Sequence, residues 1–195
     1  TGSVSGDSEW SDPFNFTVAA YSESEFYVDN ILEIMDSTDL DTVVHDVAVS
    51  IDGSVIAASV TEITRDGGGV ERSAMVYVYR NKVREAELRG SDIYESEYTF
   101  FGKSIAINDA GTRIFVAAPF KDNIGAVYVY DYFDPDWIET AILYDPRNGE
   151  GDQFQCFGSS LSCNAEGNRI VIGRSPVSSN HFATVYTNGA VYVYD

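Results

Sequence analysis

The sequence is short of basic residues, of cysteine and histidine, and of long apolar runs. Lysine and arginine number 12 against 31 aspartates and glutamates, a formal net charge of -19. A surface of that sign repels phosphate backbones, so nucleic acid is not an expected partner. Anionic membranes repel it too. It suits divalent cations, basic partners or simple solubility in salt. No run approaches the roughly 20 apolar residues of a membrane helix, so no membrane insertion is expected. The chain starts at Thr1 with no visible signal peptide, which reads as a processed mature chain or a fragment.

Only Cys156 and Cys163 could form a disulfide. On one extended strand they would lie about 23 Å apart at ~3.3 Å per residue. A disulfide tolerates about 4.4–6.8 Å. Pairing would need a bend at Phe157-Gly158, and two buried thiols are the expectation. His45 and His181 are the only histidines and occupy non-equivalent places, which gives no catalytic pair or zinc set. There is no G-x-S-x-G elbow. The glycine-rich "RDGGGVERS" from Arg65 lacks the Lys-Ser/Thr of a phosphate loop and reads as a flexible tip.

What the chain does have is strand-forming material. Hydrophobic residues make up 44%, with 13 tyrosines and 11 phenylalanines, a globular composition rich in β-formers. Three blocks align: "VVHDVAVSIDGSVIAASV" from Val43, "FFGKSIAINDAGTRIFVAAP" from Phe100 and "CFGSSLSCNAEGNRIVIGRSP" from Cys156. Their turn glycines, Gly53, Gly111 and Gly167, lie 58 and 56 residues apart. Each block leads to a closing strand: "AMVYVY" from Ala74, then "GAVYVYD" from Gly125 and again from Gly189. A fourth strand follows at "VREAEL" and "WIETAIL". Four short strands in roughly fifty to sixty residues is the spacing of propeller blades.

The strand faces agree. In "AVYVY", valines point one way and tyrosines the other, so both faces are apolar. A sheet with one wet face would alternate apolar and polar residues. Sheets stacked between neighbours do not, and the alternative is a sandwich whose outer face is covered. The expected fold is therefore all-β, a propeller-type repeat of four-stranded antiparallel blades forming a segment of a larger propeller. Residues 1–195 form a single repeat domain, with a partial unit at about 10–40 and units at about 41–90, 91–145 and 146–195. "ILEIM" from Ile31 reads as a strand of the partial unit.

These motifs resemble the FG-GAP repeat of integrin-α-type propellers and similar bacterial and algal extracellular repeats. The matching residues are Phe101, Gly102, Ser104, Ala118-Pro119 and Gly125 to Tyr130, then Phe157, Gly158, Ser160, Gly173, Pro176 and Gly189 to Tyr194. The first unit departs from the pattern, with Val43-Val44-His45 in place of Phe-Gly. The resemblance implies a Phe packed between sheets, a Gly that lets another backbone approach, and a Ser hydroxyl bonding a turn amide. It implies no catalytic role for any of them.

Calcium-binding blades carry several closely spaced oxygen ligands on a turn. Here "SIDGS", "NDAGT" and "NAEGN" have one carboxylate each, so no metal site and no cofactor is expected on them. The acidic clusters at Asp36, Asp39 and Asp41, at Asp131, Asp134 and Asp136, and at Glu150 and Asp152 could hold at most a weak Ca²⁺ and read as solvated loops. Asn15-Phe16-Thr17 is a glycosylation sequon. Tyr132, Phe133 and Trp137 are candidate contact aromatics, Trp137 reading more as core. The variable loops "TEITRDGGGVERS", "FKDNI" and "SPVSSNHFATVYTN" are the expected places for specificity. The expected function is a non-enzymatic extracellular structural or adhesion protein in a cell-surface or filament assembly, with protein partners or self-assembly. A carbohydrate- or protein-binding module and a propeller-type hydrolase or lyase are the alternatives.

Overall fold

The computed structural model describes residues 40–66, 69–94, 98–147, 156–175 and 189–195. All of them fall in the compact unit Glu33–Asp195. Asn15, His181, Pro176, residues 10–39 of the partial unit with its "ILEIM" strand, Asp36, Asp39, Glu150 and Asp152 lie outside the described residues.

The described chain is all-β, apart from a single 3-10 turn at Lys121–Asn123. The first sheet is an antiparallel meander of β1 (Leu40–Val49), β2 (Val55–Asp66), β3 (Gly69–Arg80) and β4 (Val83–Leu88). The middle sheet orders β5 (Ile105–Ile107), β6 (Arg113–Ala118), β7 (Ala126–Phe133) and β8 (Asp136–Tyr144) in the same way. The third has β9 (Phe157–Cys163), β10 (Ile170–Arg174) and β11 (Ala190–Tyr194).

The side-chain period of two makes the middle sheet apolar on both faces. Ile114, Val116, Ala126 and Tyr128 join Val55, Ala57, Val76 and Val78 of the first sheet in one core. Phe115, Ala117, Val127 and Val129 join Phe157, Ile170 and Ile172 of the third in another. The three sheets are thus stacked, with the middle one buried on both sides. Apolar area removed from water at about 25 cal/mol/Å² holds such layers together.

The tight turns stack as well. Ile51 N–H donates to Asp109 O at 3.1 Å, and Asp109 N–H donates to Ala165 O at 3.0 Å. These three residues hold the same place in their turns. Within each turn the residue three before the turn glycine closes the loop. Ser50 Oγ accepts from Val55 N–H, and Asn108 and Asn164 Oδ1 accept from Arg113 and Arg169 N–H. The sequence reading missed these three residues; their signal is a short polar side chain ahead of each turn glycine.

One expected loop is a strand pair instead. Within "TEITRDGGGVERS", residues up to Asp66 extend β2 and those from Gly69 begin β3. Thr61, Ile63 and Val70 are β-branched, and cross-strand pairing runs from Val55–Arg80 out to Asp66–Gly69.

Acid will weaken this stack. Ser50 and the backbone and hydroxyl of Ser54 hydrogen-bond the Asp52 carboxylate and lower its pKa to about 2. At Asp131, burial alone would raise the carboxyl. Hydrogen bonds from Arg113 and Thr140 and the Arg113 charge outweigh it and hold the group below its ordinary value. Both folded-state values are depressed, so this stabilisation is present above about pH 4. It is lost as pH falls toward and through the lowered values. Urea midpoints of the wild type should fall between pH 5 and pH 2.5, and Asp131→Asn should show a smaller fall.

Candidate functional site

Charged and phenolic side chains gather at both joints between sheets. At the first joint, Tyr128 donates from its hydroxyl to Asp92 Oδ1 at 2.5 Å. Tyr144 donates to Asp92 Oδ2 at 3.4 Å, and Lys121 Nζ stands 3.9 Å from the same oxygen. Tyr130 donates to Arg89 O at 2.7 Å. At the second joint, Tyr192 donates to Asp145 Oδ1 at 2.8 Å, and Arg147 N–H donates to it at 2.9 Å. Arg174 Nε lies 3.3 Å from Asp145 Oδ2, both side chains being buried. Tyr194 donates to Tyr144 O at 2.9 Å. Tyrosine, aspartate and a buried cation are therefore assembled twice, the tyrosine from a closing strand, the aspartate from a connection, and the cation from the 3-10 turn after β6 at the first joint and the last residue of β10 at the second.

These joints change the reading of "FKDNI". Lys121 was expected in a specificity loop, but it is buried and turned toward Asp92. The 3-10 turn and the left-handed backbone at Asp122 and Asn123 bring it there. A buried ammonium requires an anion beside it; Asp122 stands 3.5 Å away, and Asp92, from the connection after β4, 3.9 Å.

The Phe-Gly motifs sit between the layers. Phe101 is buried in the first interface with its ring edge-on to Tyr128 at 5.4 Å. Phe157 is buried in the second, edge-on to Tyr192 at the same distance. A Cβ on Gly102 would fall 2.5 Å from Ser59 Cβ, and one on Gly158 would fall 2.9 Å from Ala117 Cβ. What approaches each glycine is thus a small side chain of the preceding sheet, not the backbone that was expected. The close backbone approach occurs at Gly125, against Phe157 N and O, where φ is +100°. Gly189 opens β11 and meets only Arg174 O, at an ordinary 3.4 Å. Ser104 Oγ accepts from Leu161 N–H at 3.2 Å, a strand amide of the next sheet where a turn amide was expected. Asp46 Oδ2 accepts from Ile105 N–H at 2.7 Å one sheet earlier. Ser160, at the same place in the third sheet, is exposed.

A pocket of about 360 Å³ opens beside the first sheet, where β1, β2 and β3 meet the connection around Gly90 to Phe100. Its apolar wall includes Val43, Ile63 and Ile93, and its rim carries exposed Tyr94 and Tyr98. Arg72, Arg89 and His45 supply the polar groups. Arg89 is engaged with Glu87 at 2.7 Å and with Ser73. His45 Nε2 meets Thr61 Oγ1 at 2.9 Å, and partial burial with the nearby Lys103 charge lowers its pKa.

Trp137 is half-buried against the first core and donates to Glu85 at 2.9 Å; Tyr132 lies under Arg80, and Phe133 is exposed. Asp131 is held by Arg113 at 2.6 Å. Cys156 and Cys163 are thiols with no disulfide between them, and burial raises both pKa values. Among the described residues no group of three or more His, Cys, Asp or Glu is placed to hold a metal. No described helix is long and apolar enough to cross a membrane. No protein-family model matches the chain, and no curated protein matches it.

Proposed function

We propose that the chain is a non-enzymatic structural module of a cell-surface or filament assembly, built of propeller-type, FG-GAP-like blades. The observation that carries this reading is the joint made twice. The buried aspartates, cations and tyrosines are used to fasten one sheet to the next. Their titration supports the same reading. Burial, followed by the Asp92 hydrogen bond and charge, raises the Tyr128 phenol above its ordinary range. Burial and the Glu139 charge do the same to Tyr130. Both thiols move up and Asp131 moves down. A general acid or base works best with a pKa near the operating pH, and these shifts run away from neutrality. The acidic surface and the Asn15 sequon fit an extracellular setting.

Size in native material tests this. The chain is expected in particles far heavier than its own 21.4 kDa. Recovery of the native chain as a lone monomer would overturn the assembly reading.

The pocket beside the first sheet favours a second reading, a carbohydrate- or protein-binding module. Its volume falls in the range of small-molecule sites, roughly 300–1,000 Å³. Exposed Tyr94 and Tyr98 offer flat amphipathic rings at its rim. Binding on a glycan array that is lost in Tyr98→Ala would favour this reading, and an array without any binding would remove its carbohydrate form.

A further inference from the structure

The hairpin of β2 and β3 is longer than its counterpart in the middle sheet. β2 pairs with β3 from Val55–Arg80 out to Asp66–Gly69, while β6 and β7 pair from Arg113–Asp131 to Ala118–Ala126. The overhang, from Thr61 onward on β2 and up to Ala74 on β3, forms the floor of the pocket of about 360 Å³. Register sets which side chains share that floor. Val43, Thr61 and Ala74 lie in one row across β1, β2 and β3, and Ile63 is paired with Arg72 in the next. Glu62, between Thr61 and Ile63, takes the opposite face by strand alternation and accepts from the Tyr77 hydroxyl at 2.6 Å.

The charge of this pocket runs against that of the chain. Asp and Glu number 31 against 12 Lys and Arg, yet the described lining holds Arg72, Arg89 and His45 and no carboxylate. Arg89 is committed to Glu87 and Ser73. Burial, and then the nearby Lys103 charge, lower the His45 pKa, which leaves its imidazole neutral at pH 7. Arg72 is exposed, and among the described residues no carboxylate engages it. It is the cation of the described lining left to meet an anion.

The rim is aromatic. Tyr94 is 76% exposed and Tyr98 63%. The Tyr98 ring is propped edge-on against Phe100 at 4.3 Å, and Phe100 against Phe120 at 4.9 Å. An exposed ring supported from behind is a platform for a ligand with an apolar face and polar edges, such as a sugar ring. A guanidinium grips a carboxylate or sulfate through its planar fork of N–H donors. The two features together call for a ligand that has both a ring face and an oxyanion.

We infer that the pocket beside the first sheet binds an acidic saccharide, with a sugar ring against Tyr98 and a carboxylate or sulfate on Arg72. This rests on the binding-module reading above and names its ligand class.

The test is isothermal titration calorimetry of the full chain at low salt. The probes are a galacturonate hexamer and its methyl ester, a sulfated galactan hexamer and its desulfated form, and hexaglutamate. At least one acidic sugar is expected to bind, and its uncharged form about tenfold or more weaker. Whichever acidic sugar binds identifies the oxyanion. Arg72→Gln should weaken that binding about tenfold or more while melting as the wild type does, because the side chain is exposed. Arg72→Lys, which keeps the charge and loses the fork, should recover part of it. No binding of either acidic sugar up to about 1 mM overturns the inference. So does binding that is unchanged in Arg72→Gln, which puts the ligand elsewhere. Equal binding of charged and uncharged sugars also overturns it, while the binding-module reading stands. Hexaglutamate binding as tightly as the sugars would mark a site for acidic peptides, which overturns the saccharide class and leaves the protein-binding form of that reading.

Discussion

Replacing Phe157 with alanine is expected to lower the unfolding free energy by about 3–5 kcal/mol. The ring is fully buried and sits between the middle and third sheets. It packs edge-on to Tyr192 at 5.4 Å and to Tyr194 at 6.2 Å. Removing it deletes apolar contact and leaves a cavity that the backbone of Gly125, pressed against Phe157 N and O, has little room to close. Domains are stable by about 5–15 kcal/mol, so this is a large share. Val193→Ala is the control. It removes an apolar group of the same sheet from the open face, and surface changes of that kind stay within about 0.5 kcal/mol. Urea unfolding at constant slope measures both. Equal costs for the two would show that Phe157 is not held between layers.

Removing the Asp145 carboxylate should cost as much by a different route. Asp145→Ala strands the Arg174 guanidinium in the interior, without the charge 3.3 Å away. It also takes the acceptor from the Tyr192 hydroxyl and the Arg147 amide. Breaking a buried pair from one side costs about 3–5 kcal/mol, because the remaining charge is uncompensated. Arg174 Nε and Asp145 Oδ2 make no aligned hydrogen bond, so charge more than bonding couples them. The double variant Asp145→Ala/Arg174→Met should then recover much of the loss. A double variant whose cost equals the sum of the single costs would mean that the two groups do not act together.

Which features were readable from sequence follows from how local their causes are. β6 and β7 could be read from "RIFVAA" and "AVYVY", because β-branched and aromatic residues at every position leave no wet face. β4 and β8 followed from their place after the closing strands. The all-β class needed nothing more. The joints were not readable. Lys121 and Asp92 lie far apart in the chain, as do Arg174 and Asp145, and a charged residue beside a turn looks solvated until its partner is seen. The clearest case is "AVYVY" itself. Val127 is fully buried and Val191 is 71% exposed in the same five letters. Nothing local separates them; the difference is whether a sheet lies beyond. The roles of Gly125 and Gly189 diverge for that reason too.

The central claim is that the sheets stack valine face on phenylalanine-tyrosine face, and methyl-to-aromatic NMR contacts test it most directly. In chain labelled at valine methyls and phenylalanine rings, Val127 should show cross-peaks to Phe157, and Val76 should show them to Phe101. Val191 should show none to either ring. A folded spectrum in which Val127 and Val76 lack these cross-peaks would contradict the stack and, with it, the assembly built from it.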